Sequence, residues 1–484
     1  MGAPAREPVR SGAVSVLPFT HELLRALWVE RRGTAADVRA LRQRRLAALV
    51  RHARATTRLF AERLAHVDPD APINLAQIQP ITKSELMARL EDGIEHGHLS
   101  RAAIEAHAAD RGNVDAALDG RYVVATTSGT TGEVGYFVQD RDAFERWNGA
   151  LFARVLRHRL IPREILRFTF GRRYRMAMAI ATGGHFITRL VAGYRPLWSR
   201  PFLDLRTFSI LEAPESNLHG LNLFRPHYLH GYSTFVEALA HERLAGRLAI
   251  DPEFVSLGSE PVTRRARETI AQAFPRAQIV ETYGATECLA IANQYPTNQL
   301  HVNEDLVILE PVDAQGRPVP VGVASDKVYL TNLLSRAQPL LRYELQDSVT
   351  ILGDACPCGS PMTSIRVEGR SDDTFALLDA DGRTTLHPPI VFEALILGVP
   401  GLERFQLVHV RQNVLEARVV AQPGAEPALV AERARETLRR YLADRGLADR
   451  VEVHATPVDV IPREARGHKL RQIYSQVPRL GRSG

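Results

Sequence analysis

A chain of 484 residues is longer than one compact core organises, so two or more domains are expected. With 45% hydrophobic and 24% charged residues it reads as an ordinary soluble globular protein. The formal net charge of +6 comes from arginines scattered along the chain, without the aromatic interleaving or motif of a nucleic-acid surface. That surface favours acidic small molecules or an acidic carrier protein as partners, and nucleic acid is excluded. No apolar run approaches the roughly 20 residues that span a bilayer. The segment Met1–Pro8 lacks the apolar stretch of a secretion signal, and Gly2 lacks the context of a myristoylation site. Three cysteines argue against a disulfide framework, and a reducing cytoplasm is the expectation.

In chain order, residues 19–65 carry helical periodicity, with Leu23, Leu24 and Leu27 and then Leu41, Leu46, Leu49 and Val50 on one face. This helical lead-in extends to about residue 90. The arginine-rich runs 42–54 and 433–445 read as solvated helix faces. From 121 to about 350, short β-branched runs (Val123–Ala125, Ile279–Glu281, Lys327–Leu330) alternate with helical stretches near 141–159 and 232–247. The fold class is therefore α/β, a mostly parallel sheet flanked by helices. Asp313–Gly316 and Asp379–Gly382 mark hairpin turns. After Asp373 the texture changes to strands at 405–410 and 414–421, a helix near 426–445 and a strand at 450–454. That predicts a large N-terminal domain over 1–370 and a small mobile α+β domain over 371–484, hinged near Gly369–Asp373.

The segment Thr126-Thr-Ser-Gly-Thr-Thr-Gly132 carries chemistry. Its glycines let backbone N–H groups close around phosphate oxygens, and its five hydroxyls add donors. It follows a short apolar run, Arg121–Ala125, so the loop is expected to leave a strand. No Gly-Lys-Ser/Thr follows, which counts against a Walker-type kinase loop. Downstream come Glu281-Thr-Tyr-Gly-Ala-Thr-Glu287, Arg342-Tyr-Glu-Leu-Gln-Asp347, Arg366-Val-Glu-Gly-Arg-Ser-Asp-Asp373 and Lys469.

This set, in this order, resembles the adenylate-forming ligase superfamily, and within it the phenylacetate–CoA ligase and coenzyme F390 synthetase branch. Residues 41–54, Pro80–Leu86 and Asn222–Tyr232 resemble that branch as well, so the likeness covers nearly the whole chain. The resemblance implies ATP and Mg²⁺ as cofactors. Thr127, Ser128, Gly129, Thr130, Thr131 and Gly132 would cradle the β- and γ-phosphates, although Glu133 stands where a lysine usually follows. Gly258, Ser259 and Glu260 would line the adenine pocket, with Glu281, Thr282, Tyr283 and Gly284 beside it and Tyr283 near the base. Thr286 would touch the α-phosphate, and Glu287 would hold Mg²⁺, a hard ion suited to carboxylate oxygen. Asp347 would bind the ribose hydroxyls through its two acceptor oxygens, in altered flanking sequence. Arg366 would contact ribose and phosphate. Arg370 and Asp372 match the hinge, and Lys469 the mobile lysine that bridges carboxylate and α-phosphate, although its stretch Arg463–Lys469 is one residue longer than usual.

Position between the phosphate loop and the adenine segment gives Gly183, Gly184, His185 and Tyr232 as walls of the acyl pocket. Cys356-Pro-Cys358-Gly359 is a metal knuckle of the kind that in relatives joins a structural zinc. His301 resembles the histidine ligand and Cys288 is the candidate fourth; the alternative of two reduced, buried cysteines stays open.

The implied reaction joins an acid, aromatic by resemblance, to ATP as acyl-AMP with loss of pyrophosphate, then passes the acyl group to a thiol. CoA is the leading acceptor. The stretch Phe375–Pro389 reads as a hairpin where CoA-using relatives carry a glycine-containing loop, so a carrier-protein thiol or an amine remains open. A catalytically silent nucleotide-binding homologue is the contrasting reading; the retained Glu287, Asp347, Arg366 and Lys469 weigh against it. A monomer and a homodimer are both compatible with the sequence.

Overall fold

The lead-in helices form where the sequence caps them. Helix Ala35–Thr56 starts at Thr34, whose hydroxyl accepts from Asp37 N at 3.2 Å while the Asp37 carboxylate accepts from Thr34 N at 2.9 Å. The computed structural model describes residues 17–114, 116–127, 134–156, 173–181, 185, 187–193, 201, 203–212, 214–259, 262, 264–294, 299–353, 356–367, 375–387, 389–461 and 473–477. Helix Leu17–Arg32 packs along helix Arg141–Leu156. Buried Arg154 ties these helices to the sheet region, with Asp305 at 2.5 Å and Glu30 at 3.6 Å.

Strands β1 (Tyr122–Thr126) and β2 (Tyr136–Asp140) make an antiparallel hairpin. Next come β3 (Tyr174–Ile180), β4 (Leu203–Ser209), β5 (Tyr228–Tyr232), β6 (Phe254–Gly258), β7 (Gln278–Ala285), β8 (Cys288–Gln294) and β9 (Leu300–Val302). Strands β10 (Val307–Val312), β11 (Lys327–Asn332) and β12 (Leu340–Leu345) form a separate antiparallel sheet. With β13 (Val349–Ile351) and β14 (Ser364–Val367) the chain returns to a nine-stranded sheet ordered β13-β14-β9-β8-β7-β6-β5-β3-β4.

Strands β4, β3, β5, β6 and β7 are parallel, joined through helices such as Pro214–Phe224, Ser233–Leu244 and Arg264–Ala273. This is the parallel sheet that alternation predicts. From β7 onward the sheet runs antiparallel, because only Thr286 and Glu287 separate β7 from β8 and so short a link joins antiparallel strands alone. Ile81 adds a bridge beside Tyr343 of β12, with Ile81 N donating to Arg342 O at 3.0 Å, and so fastens the lead-in to the sheets.

Beyond residue 374, β15 (Phe375–Leu378) and β16 (Thr384–His387) form a hairpin at the predicted Asp379–Gly382 turn, closed by Asp379 N to Arg383 O at 2.9 Å. Strands β17 (Leu402–Arg411), β18 (Val414–Ala421), β19 (Glu452–Pro457) and β20 (Ile473–Ser475) make a four-stranded sheet ordered β19-β18-β17-β20, and helix Pro427–Ala443 covers it. Arg445 reaches from this unit to the carbonyls of Ile210 (3.2 Å) and Glu212 (2.8 Å) beside β4. Among the described residues no helix is long and apolar enough to cross a membrane.

Candidate active site

Open α/β sheets bind ligands outside the carboxyl ends of their parallel strands. Here those ends bring Ile180, Tyr232, Gly258 and the Tyr283–Glu287 segment to one edge; Tyr232 pairs with Gly258, and Gly258 with Thr282. Ser259 leaves β6 in the left-handed region at φ 65°, a conformation that costs a non-glycine residue on the order of 1 kcal/mol. Gly284 is obligatory for packing: a Cβ there would lie 2.3 Å from Leu289 O, across the irregular register between Tyr283 and Ala285. The tight hairpin brings Glu287 to the turn, 7% exposed, with its carbonyl accepting from Asn332 Nδ2 at 3.1 Å.

Two motifs that sequence leaves 64 residues apart meet directly. Tyr283 Oη donates to Asp347 Oδ2 at 2.8 Å. Arg366 stands opposite Thr350 in the β13–β14 register, three residues beyond Asp347, with its side chain exposed. Thr282 Oγ1 accepts from Asn293 Nδ2 at 3.2 Å. Glu281 is held by Arg267, which also donates to Gln294 at 2.5 Å.

The loop after β1 is closed at its neck. Thr127 N donates to Gly135 O at 2.9 Å, and Gly135 N to Thr127 Oγ1 at 2.8 Å. A Cβ on Gly135 would come within 2.8 Å of both Thr127 Oγ1 and Phe137, and 2.9 Å from Lys83 Cε. Lys83 thus lies against the neck, although Pro80–Leu86 reads from sequence only as lead-in.

Ser128, Gly129, Thr130, Thr131, Gly132, Gly183, Gly184, Glu260, Arg370, Asp372 and Lys469 lie outside the described residues. Tyr232 is 2% exposed at the end of β5. His185 is buried, edge-on to His107 at 5.3 Å, and its Nε2–H donates to Asp110 O at 3.2 Å. Sequence reasoning passed over His230. Alternation along Tyr228–Tyr232 puts it on one face with both tyrosines, its Nδ1 is 3.2 Å from Ser256 Oγ, and burial lowers its pKa to about 4.

The metal candidates converge at the β9–β14 edge: ligand atoms of His301, Cys356 and Cys358 all lie within 4.8 Å of one another. His301 Nδ1–H donates to Gln299 O at 3.0 Å, which leaves the Nε2 lone pair facing Cys358 Sγ at 3.5 Å. Cys288 does not join them. His301 pairs with Asn293, five residues farther along β8 or roughly 16 Å at strand spacing, and Cys288 is fully buried in the core with its thiol pKa pushed up by burial.

No family model matches the chain. Over 216 residues it is 28% identical to the phenylacetate-coenzyme A ligase of Thermus thermophilus, a match spanning 42% of this chain and 46% of that protein. The chain thus spans about half the length of the curated relative it matches. Among solved structures, 2-hydroxyisobutyryl-CoA ligase in complex with 2-HIB-AMP and CoA in the thioesterification state superposes with TM-score 0.55, at 17% identity, over 93% of this chain and 92% of that one. The same ligase in its postadenylation state with R3-HIB-AMP gives 0.51 at 16% identity, over 93% and 91%. The chain shares its fold with this ligase over nearly its whole length. The superposition over nearly the whole chain bears out the α/β expectation.

Proposed function

We propose that this protein is an ATP-dependent acid–thiol ligase. It activates a carboxylic acid, aryl by preference, as acyl-AMP with release of pyrophosphate, and transfers the acyl group to CoA. The observation that carries this reading is the Tyr283–Asp347 hydrogen bond, which unites two separate motifs at the carboxyl edge of the parallel strands. The geometry suits a nucleoside: a carboxylate is an acceptor for ribose hydroxyls, and Tyr283 beside it flanks the base.

Adenylation places a carboxylate beside the α-phosphate, and the two anions repel. Catalysis therefore consists of neutralising that charge and holding the attack in line. The loop 127–132 cradles the departing pyrophosphate, and Lys83 at its neck supplies the ammonium that Glu133 does not. Thr286 donates to the α-phosphate, and Arg366 steadies ribose and phosphate. Glu287, at the hairpin turn, would hold Mg²⁺, which adds positive charge against the phosphates. Residues 371–484 act as a mobile domain hinged at Arg370 and Asp372, and they deliver Lys469 to the reacting oxygens. An ammonium on a flexible stem suits that transient role. Gly183, Gly184, His185 and Tyr232 wall the acyl pocket, and His230 shares the Tyr232 face of β5. His301, Cys356 and Cys358 supply three of the four donors of a structural zinc. We place the protein in the cytoplasm.

Acid-dependent ATP–pyrophosphate exchange over benzoic, arylacetic, cinnamic and aliphatic acids tests the reading. Exchange with an aryl subset, followed by thioester formation with CoA, is the expected result. Exchange without CoA transfer would move the acceptor to a carrier protein or an amine. Absence of exchange with every acid, in protein that binds ATP, would leave a silent nucleotide-binding homologue.

A further inference from the structure

Helices Leu17–Arg32, Ala35–Thr56 and Arg141–Leu156 enclose a second cavity of about 550 Å³, within the size range of small-molecule pockets. Its wall includes Arg121 and Asp140, at the base of the β1–β2 hairpin. The neck that closes the phosphate loop is at the opposite end of that hairpin, so the cavity is a separate place, roughly 13 Å away along the strands.

Five arginines and three carboxylates line it. Glu95 accepts from Arg121 and from Tyr122 Oη at 3.2 Å. Asp140 caps helix Arg141–Leu156, accepting from Ala143 N at 2.7 Å, and Asp142 is exposed. On the facing wall, Arg45 grips both oxygens of fully buried Glu22 at 2.7 Å, and Arg25 reaches the same carboxylate at 3.4 Å. Arg146 and Arg336 make no side-chain hydrogen bond or ion pair with any described residue. Burial, then the nearby Arg45 and Arg146, hold the Arg25 guanidinium below its usual pKa. With Glu22 counted, five guanidiniums meet four carboxylates here, and Arg146 and Arg336 are the two arginines without a side-chain partner among the described residues.

We propose that this cavity binds a small phosphorylated anion, with Arg25, Arg146 and Arg336 as its phosphate ligands. Guanidinium forks match phosphate oxygens in pairs, and a phosphate supplies the anion that Arg146 and Arg336 lack. The cavity has room for an organic group beyond the phosphate.

Titration calorimetry of the full chain with inorganic pyrophosphate, AMP and CoA tests this. The double variant Arg146→Ala, Arg336→Ala removes no described contact, so its melting temperature without anion should match the wild type. It is expected to lose one binding event, or at least tenfold in affinity at that event, for the probe the cavity prefers. A phosphate site at the strand edge would appear as an event common to both proteins, so failure of the ligase reading leaves this comparison intact. A preference for pyrophosphate identifies a free phosphate ligand, and a preference for AMP or CoA one carried on a nucleotide. Identical titrations of the two proteins, or no binding of any probe by the wild type, would overturn the proposal.

Discussion

His301 illustrates how one residue's surroundings decide its chemistry. Its Nδ1–H is fixed on the Gln299 carbonyl, so Nε2 is the basic nitrogen and faces the Cys358 sulfur. A zinc ion wants that tautomer, because the second hydrogen bond orients the ring and raises its basicity. The knuckle brings Cys356 and Cys358 to the same point, and Gly359 N donates back to Cys356 O at 3.0 Å. Protein purified without chelator is expected to carry about one zinc per chain by elemental analysis, and His301→Ala to lose it with a melting temperature lower by several degrees. Zinc near zero in the wild type rejects the metal and leaves two reduced cysteines beside a histidine. The motif made His301, Cys356 and Cys358 legible in the sequence. Cys288 was misjudged because proximity in sequence says nothing of register, and the β8–β9 register separates it from His301. Lys83 and His230 escaped notice for a related reason: each gains its meaning from a neighbour distant in sequence, Gly135 for one and Ser256 for the other.

At the scale of elements, the helical stretches read at 19–65, 141–159, 232–247 and 426–445 hold helices, and the predicted strands at 405–410 and 414–421 fall inside β17 and β18. Pairing partners were not legible, since nothing local states that β13 and β14 return to extend the large sheet beyond β9. The C-terminal elements also carry a pH dependence. His387 is buried between Thr385 and Tyr441, with Tyr441 Oη 2.8 Å from Nδ1, and burial followed by nearby Arg445 lowers its pKa to about 3. His409 is buried beside Ser475 Oγ at 2.9 Å, and burial lowers its pKa to about 4. Both folded values lie below the unfolded value of about 6.5, so the unfolded chain takes up protons first. Stability is complete above about pH 6.5 and falls as pH drops toward 4, by about 1.4 kcal/mol per pH unit for each ring. Thermal unfolding followed from pH 7 to 4.5 should show this decline, and His409→Gln should flatten it. Parallel curves for variant and wild type would refute the assignment to His409.

At the scale of the whole molecule, the proposed cycle needs the C-terminal unit to take two positions, one for adenylation and one for thioester formation. Arg445 bears on that equilibrium. Its guanidinium stacks over Tyr441, 3.8 Å from the ring centroid, and donates to the carbonyls of Ile210 and Glu212, which close the end of β4. These bonds link the four-stranded sheet to the large one, so a cycle with two arrangements would keep them in one and break them in the other. A charged donor to backbone carbonyls is worth about 1.5–3 kcal/mol when buried and less at this half-exposed position. Removing it therefore shifts the populations several-fold, up to about tenfold. Because a shift in population takes from one state what it gives to the other, Arg445→Ala should slow one half-reaction and leave the other unchanged or faster. Pyrophosphate exchange reads the first half, and transfer from preformed acyl-AMP to CoA reads the second. If both half-reactions fall by the same factor, Arg445 serves stability alone. If neither changes, the contact does not govern the rotation.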